Sequence, residues 1–170
     1  MDGTAATEVD RDALNRDYLA AWNARDADRI ASFFAEDAVY DDRGAGVVAR
    51  GRGEIRAHAA RVHAAFEDLT FDVFRIANGD DFIAGEWRSR MTHTGEFEGL
   101  AATGRVVESG GVDVATLDSE GRITHLVSYY DGAQIMRDLG VLPSRGSGSE
   151  RALVRLASLG AGLRRLLTRS

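Results

Sequence analysis

The stretch TFDVFRIANGDDFIAGEWRSRMTH, from Thr70 to His93, decides the fold class. Upstream of it apolar residues recur at helical spacing, whereas from Thr70 onward they alternate with the two-residue period of a half-buried strand. Asn78-Gly79-Asp80 separates two such runs, and Asn-Gly is a dipeptide that tight hairpin turns favour because it tolerates positive φ. Phe71, Val73 and Phe74 therefore open one strand, and Phe82 to His93 forms its long partner. Downstream, Arg105 to Leu117 and Arg122 to Tyr130 read as two more strands joined through Asp118-Ser-Glu-Gly121, and Gln134 to Leu139 as a short helix.

Working upstream, Leu14, Tyr18, Leu19, Ala21 and Trp22 mark a first helix, and Asp26-Ala-Asp28 restarts a second that carries Ile30, Phe33 and Phe34. Ala38 to Tyr40 is a short β segment running into Asp41, Asp42, Gly44 and Gly46, which read as a turn. Gly51-Arg-Gly-Glu-Ile55 opens a third helix, with Ile55, Val62 and Phe66 forming an apolar stripe beside His58. Helices first and an antiparallel meander after predict one α+β domain over residues 1–142. Residues 143–148, Pro143-Ser-Arg-Gly-Ser-Gly148, have linker composition. Residues 149–170 form a basic amphipathic helix, with Leu153, Leu156, Leu163, Leu166 and Leu167 at helical spacing and Arg151, Arg155, Arg165 and Arg169 largely on other faces. Two roles fit that helix: packing on its own domain or a partner subunit, and peripheral contact with an anionic surface such as a membrane.

Bulk properties narrow the function classes. The chain has 170 residues, 44% hydrophobic and 28% charged, close to globular averages. It has no cysteine, which excludes disulfides, thiolate catalysis and cysteine-ligated zinc. All 21 basic residues are arginine, so Schiff-base chemistry and a lysine-dependent phosphate loop are excluded too. From Pro143 onward arginines face Glu150 alone, so the net charge of −6 conceals a strongly acidic body that is unsuited to nucleic acid. The segment from Met1 to Arg11 is acidic and polar, unlike a signal peptide, and no apolar run approaches the ~20 residues of a spanning helix, so the expected location is the cytoplasm. His58 and His63 are five apart and have no metal-ligand support, so neither a metal nor another cofactor is expected.

Strand parity sorts the side chains. Ile83, Gly85, Trp87, Ser89, Met91 and His93 share the less charged face of the second strand, which is placed inward. Val107, Ser109, Gly111, Asp113, Ala115 and Leu117 share a face of the third, as Leu126, Ser128 and Tyr130 do on the fourth.

Three stretches carry a resemblance: Ala20-Ala-Trp-Asn-Ala-Arg-Asp-Ala-Asp28 with Asp37-Ala-Val-Tyr-Asp41, the run Met91 to Arg105, and Gly121 to Asp131 with Leu139-Gly140. Over roughly residues 8–142 the chain resembles the SnoaL-like polyketide cyclases of the nuclear transport factor 2-like superfamily. The resemblance implies a cone-shaped, curved antiparallel sheet packed against the N-terminal helices, with a pocket for a small hydrophobic substrate inside the cone. It also implies a homodimer through the outer face of the sheet. Members close polyketide rings, and distant relatives are steroid isomerases, dehydratases and epoxide hydrolases, so fold alone does not name the reaction.

The resemblance puts the family acid/base carboxylate at Ser128, which cannot exchange a proton near neutral pH. It places Asp113 inside on the adjacent strand, where Trp22, Trp87, Phe66 and Met91 would raise its pKa by desolvation. Asp113 and His58 are the expected acid/base pair, against plain structural roles for either. The expected substrate contacts are Tyr18, Trp22, Trp87, Met91, His93, Ser128 and Tyr130, with His93 equally suited to bracing the following turn. His63 is expected at the surface. Three functions remain open: a cofactor-independent cyclase or isomerase on a polyketide- or terpenoid-like substrate, a non-catalytic ligand-binding or accessory protein, and epoxide opening. Epoxide opening is weakened because Gly111 stands where an arginine would be needed and the fourth strand offers no second inward carboxylate.

Overall fold

Aspartates start three of the helices. Asp10 accepts from the Ala13 amide at 2.9 Å to cap α1 (Arg11–Asn23), and Asp26 accepts from Arg29 at 2.9 Å to cap α2 (Ala27–Ser32). Each such cap satisfies an otherwise orphaned amide and is worth ~1 kcal/mol. The third cap, Asp131, accepts from Gln134 and opens the closing helix described below. These features belong to a computed structural model that describes residues 10–167. Expectations that fall on residues 1–9 and 168–170, and on side chains beyond Ser158, lie outside the described residues.

A six-stranded sheet in the order β2-β1-β6-β5-β4-β3 wraps against α1 and α3 (Gly51–Ala65). Its strands are β1 (Phe34–Asp42), β2 (Val47–Arg50), β3 (Thr70–Asn78), β4 (Phe82–Thr92), β5 (Val106–Leu117) and β6 (Ile123–Tyr130), and α4 (Gly132–Asp138) follows. Register shifts at Val73/Arg75, where Phe74 is the extra residue in β3, and opposite Thr116/Leu117, where Thr124 is the extra residue in β6, and such bulges bend a strand and increase its twist. The inner face carries Ile83, Met91, Val107, Ala115 and Leu126, all buried against Tyr18, Leu19, Trp22, Ile55 and Ala59 of the helices. Strand β3 is an edge, and Asn23 covers part of it by pairing with the backbone of Phe71 on both its N–H (2.7 Å) and its C=O (2.9 Å).

The first strand exceeds its sequence reading. Phe34 opens β1 instead of ending α2, and Phe33 only caps that helix. The burial of β1 does not alternate at its start, where the register shifts between Phe34 and Val39, so the two-residue signal appears only from Ala38. Strand β2 falls between that turn and α3, where the sequence reading names no element. The pairing of β1 with β6 is parallel while the other four pairings are antiparallel, a direction that face parity cannot reveal.

After α4 the chain runs into α5 (Gly148–Leu167). Among the described residues α5 packs substantially against no other element, and Leu153, Val154 and Leu156 are exposed. Among the described residues no helix is long and apolar enough to cross a membrane. One exposed ion pair, Arg145 to Asp131 at 3.5 Å, ties the connecting segment back to α4. A chain ending at Leu142 is therefore expected to unfold within about 1 kcal/mol of the full-length protein in a urea titration, since it loses an exposed ion pair and no core. A larger loss would show that α5 packs on the body.

Candidate active site

Hydrogen-bond register brings the polar residues of the interior into one row. Asp42 on β1 is partnered with Ser128 on β6, Ser128 with Asp113 on β5, and Asp113 with Gly85 on β4. Residues directly opposite one another share a face, so the row points into the cone. With ~4.8 Å between neighbouring strands, the backbones of the two aspartates stand roughly 10 Å apart with only a serine between them. Asp42 and Ser128 are buried, and Asp113 is partly exposed to the cavity it lines.

Asp113 accepts two hydrogen bonds on one oxygen: from Ser128 Oγ at 2.6 Å and from Trp87 Nε1 at 2.9 Å, both to Oδ1. Trp87 is partnered with Gly111, not Asp113, and its indole reaches the carboxyl by crossing that glycine. A Cβ at Gly111 would lie 2.6 Å from Trp87 Cζ2, so the glycine is what lets the indole pass. Oδ2 has no donor among the described residues. Burial pushes the Asp113 carboxyl up to about 6 against the lowering effect of Ser128 and Trp87, and the charge of Asp42 adds to the rise.

Asp42 is held differently. Its Oδ1 accepts from the Ala45 amide at 2.9 Å, and its Oδ2 lies 3.3 Å from His58 Nε2. The His58 contact has ion-pair distance without the alignment of a hydrogen bond. Tyr130 lies next to this pair with its ring over Gly44, where a Cβ would come within 2.1 Å. Burial, then the charge of Asp42, raises the Tyr130 hydroxyl well above its ordinary value, so it keeps its proton and can donate.

These groups open on a narrow cavity of about 80 Å³. Trp22, Phe66, Leu69, Phe71, Met91 and Phe97 supply an apolar wall, and Ile135 and Met136 of α4 close one side. Among the described residues no three histidine, aspartate or glutamate side chains converge as a metal-binding set.

Of the residues singled out from sequence, the cavity brings together Asp113, His58, Trp22, Trp87, Met91, Ser128 and Tyr130. Two expected substrate contacts do not line this cavity. Tyr18 does not reach this cavity: its ring packs edge-on against Phe33 and Phe34, and its hydroxyl points into a smaller void between α1 and the sheet. His93 is fully buried beyond the cavity wall, where its Nδ1 accepts from the Thr103 amide at 3.2 Å and its backbone pairs with Gly104 and Arg105. It braces the base of the 94–104 loop. His63, expected at the surface, is buried because Trp22 and Arg25 cover that side of α3; its Nε2 meets the Trp22 carbonyl at 3.1 Å, and burial lowers its pKa.

Residues 12–139 match the sequence model of the SnoaL-like polyketide cyclases. The chain belongs to this family. No curated protein matches it significantly. Among solved structures the SnoaL-like chain is similar to AclR of Streptomyces galilaeus, a proposed hydroxylase, at 26% identity and TM-score 0.68 over 78% of this chain and 97% of that one. It is equally similar to IdmH of Streptomyces antibioticus, a proposed polyketide cyclase, at 26% identity and TM-score 0.66 over 78% and 99% of the two chains. A protein of Catenulispora acidiphila DSM 44928 with a ketosteroid isomerase-like fold, solved with trimethylamine, matches at 20% identity and TM-score 0.66 over 75% and 92%. The fold is thus nuclear transport factor 2-like.

Asp42 is the site residue that sequence reasoning missed. Ala38, Tyr40 and Asp42 follow two-residue parity and are all buried, so extending that parity two residues into the supposed turn would have found it.

The raised carboxyl of Asp113 fixes a pH dependence. Its unfolded value is near 3.9 and its folded value about 6, so the folded state holds the extra proton and stability falls as pH rises through this window. Asp113→Asn is expected to unfold like the parent at pH 4 and to be more stable than it at pH 7, by up to about 3 kcal/mol for a shift of two units. Parallel stability curves for the two proteins between these pH values would refute the raised value.

Proposed function

We propose that this protein is a cofactor-independent cyclase or isomerase that moves protons on an apolar, carbonyl-bearing substrate of polyketide or terpenoid type. The observation that carries this reading is the row of Asp42, Ser128 and Asp113 across three strands at the floor of one cavity. Two carboxyls whose surroundings differ this much suit separate acid and base roles.

In the proposed cycle the ionised Asp113 removes a proton from carbon α to a carbonyl through Oδ2. The C–H electron pair moves into the new carbon–carbon double bond and the carbonyl π pair onto oxygen, where Tyr130 donates a hydrogen bond. Asp113 then returns the proton at a different carbon, giving isomerisation, or the enolate carbon attacks a second carbonyl within the substrate, giving ring closure. In ring closure the new alkoxide takes its proton from His58 Nε2, which stands 3.3 Å from Asp42, and the proton held by Asp113 returns to His58 through solvent, which restores both groups. Trp22, Trp87, Phe66 and Met91 would exclude water and hold the apolar skeleton.

The apolar lining favours a second reading, a ligand-binding protein without catalysis. Epoxide opening gains a second carboxylate in Asp42, yet no arginine is among the residues lining the cavity to bridge the pair. Incubating the protein in D₂O with a panel of enolisable polycyclic ketones, and reading deuterium incorporation by mass spectrometry, separates these readings without knowledge of the natural product. The expected result is incorporation into at least one bound ketone that drops about 100-fold or more in Asp113→Asn. Ketones that bind but exchange no faster than in buffer would leave the binding role.

A further inference from the structure

Behind Asp113, between α1 and the sheet, lies a second void that the proposed reaction does not use. Asn15 and Tyr18, three apart on one face of α1, line it together with Asp113, and Ile83 and Leu126 seal it. Asn15 reaches this place because the β4 partner of Asp113 is Gly85: a Cβ there would lie 2.6 Å from Asn15 Nδ2. Asn15 Oδ1 and the Tyr18 hydroxyl are buried and have no hydrogen-bond partner among the described residues. Burial first, and then the charge of Asp113, raises the Tyr18 hydroxyl above its ordinary value, against a lowering contribution from the Trp22 indole. The void measures about 10 Å³. One water needs ~10–15 Å³ on this measure and two to four polar partners, and Asn15, Tyr18 and Asp113 supply three.

We propose that Asn15 and Tyr18 hold one water against Asp113 and act as positioning residues that set the proton affinity of its carboxyl from the side away from the substrate. The water donates one hydrogen to the carboxylate and the other to Asn15 Oδ1, and it accepts from the Tyr18 hydroxyl. With Ser128 and Trp87 it gives the ionised carboxylate a third donor, so losing it shifts Asp113 toward the protonated form. The inference rests on Asp113 being the proton-exchanging group of the cavity.

The test is a carboxyl ¹³C titration of Asp113 in the full chain, comparing the parent with Asn15→Leu, Tyr18→Phe and Gly85→Ala. The expected result is a titration midpoint raised by about one pH unit in Asn15→Leu and Gly85→Ala and by less in Tyr18→Phe, with an ordered water bridging the three groups in a high-resolution crystal structure. Tyr18→Phe keeps the ring contacts with Phe33 and Phe34 and removes only the hydroxyl, so it keeps the test open if Gly85→Ala does not fold. Midpoints equal to the parent in both Asn15→Leu and Tyr18→Phe would overturn the proposal. The readout needs no turnover, so it stands or falls separately from the catalytic reading.

Discussion

Strand register is the constraint on which the site depends. Because Asp42, Ser128, Asp113 and Gly85 are direct partners across β1, β6, β5 and β4, their side chains must project from one line of the sheet into one cavity. A slip of one residue in any of these pairings would turn a carboxylate to the outer face and bring an apolar neighbour inward. The same apolar core that sets the register, with Ile83, Ala115 and Leu126 one layer below the row, therefore also sets the chemistry.

Within the row, small residues decide what each carboxyl experiences. Ser128 is short enough to leave room for carboxyls on both sides, and it turns its hydroxyl to Asp113. Gly111 admits the Trp87 indole and Gly85 admits the Asn15 amide, so Asp113 is approached from two directions over residues without side chains. Asp42 instead has a backbone amide and a histidine. Asp113 is left with burial as the dominant influence on its carboxyl.

Much of this was legible in the amino-acid sequence. The change of period at Thr70 and the Asn78-Gly79 turn mark the meander, parity puts Trp87 and Met91 on an inward face and groups Ser128 with Tyr130, and the family resemblance adds that Asp113 and Ser128 face inside. What stayed hidden depends on contacts between distant segments. Phe34 suits a helix end as well as a strand start, so the length of β1 is settled by its pairing with β6. Asp42 follows a strand that looked three residues long and precedes glycines, which disguises it as a turn residue. Tyr18 and His93 lie on the correct faces, but which void a side chain enters depends on neighbours such as Phe66 and Phe97, a matter of packing rather than period.

The parallel pairing of β1 with β6 also orders events in time. Antiparallel neighbours β3 to β6 join through local connections and can zip as the chain emerges, whereas β1 must wait for a strand that begins more than eighty residues later. Until β6 is made, Asp42 and His58 belong to a half-cone whose apolar wall faces solvent. The row of Asp42, Ser128 and Asp113 is thus among the last features to form, and a chain stalled before Ile123 would carry its two carboxylates without ever joining them.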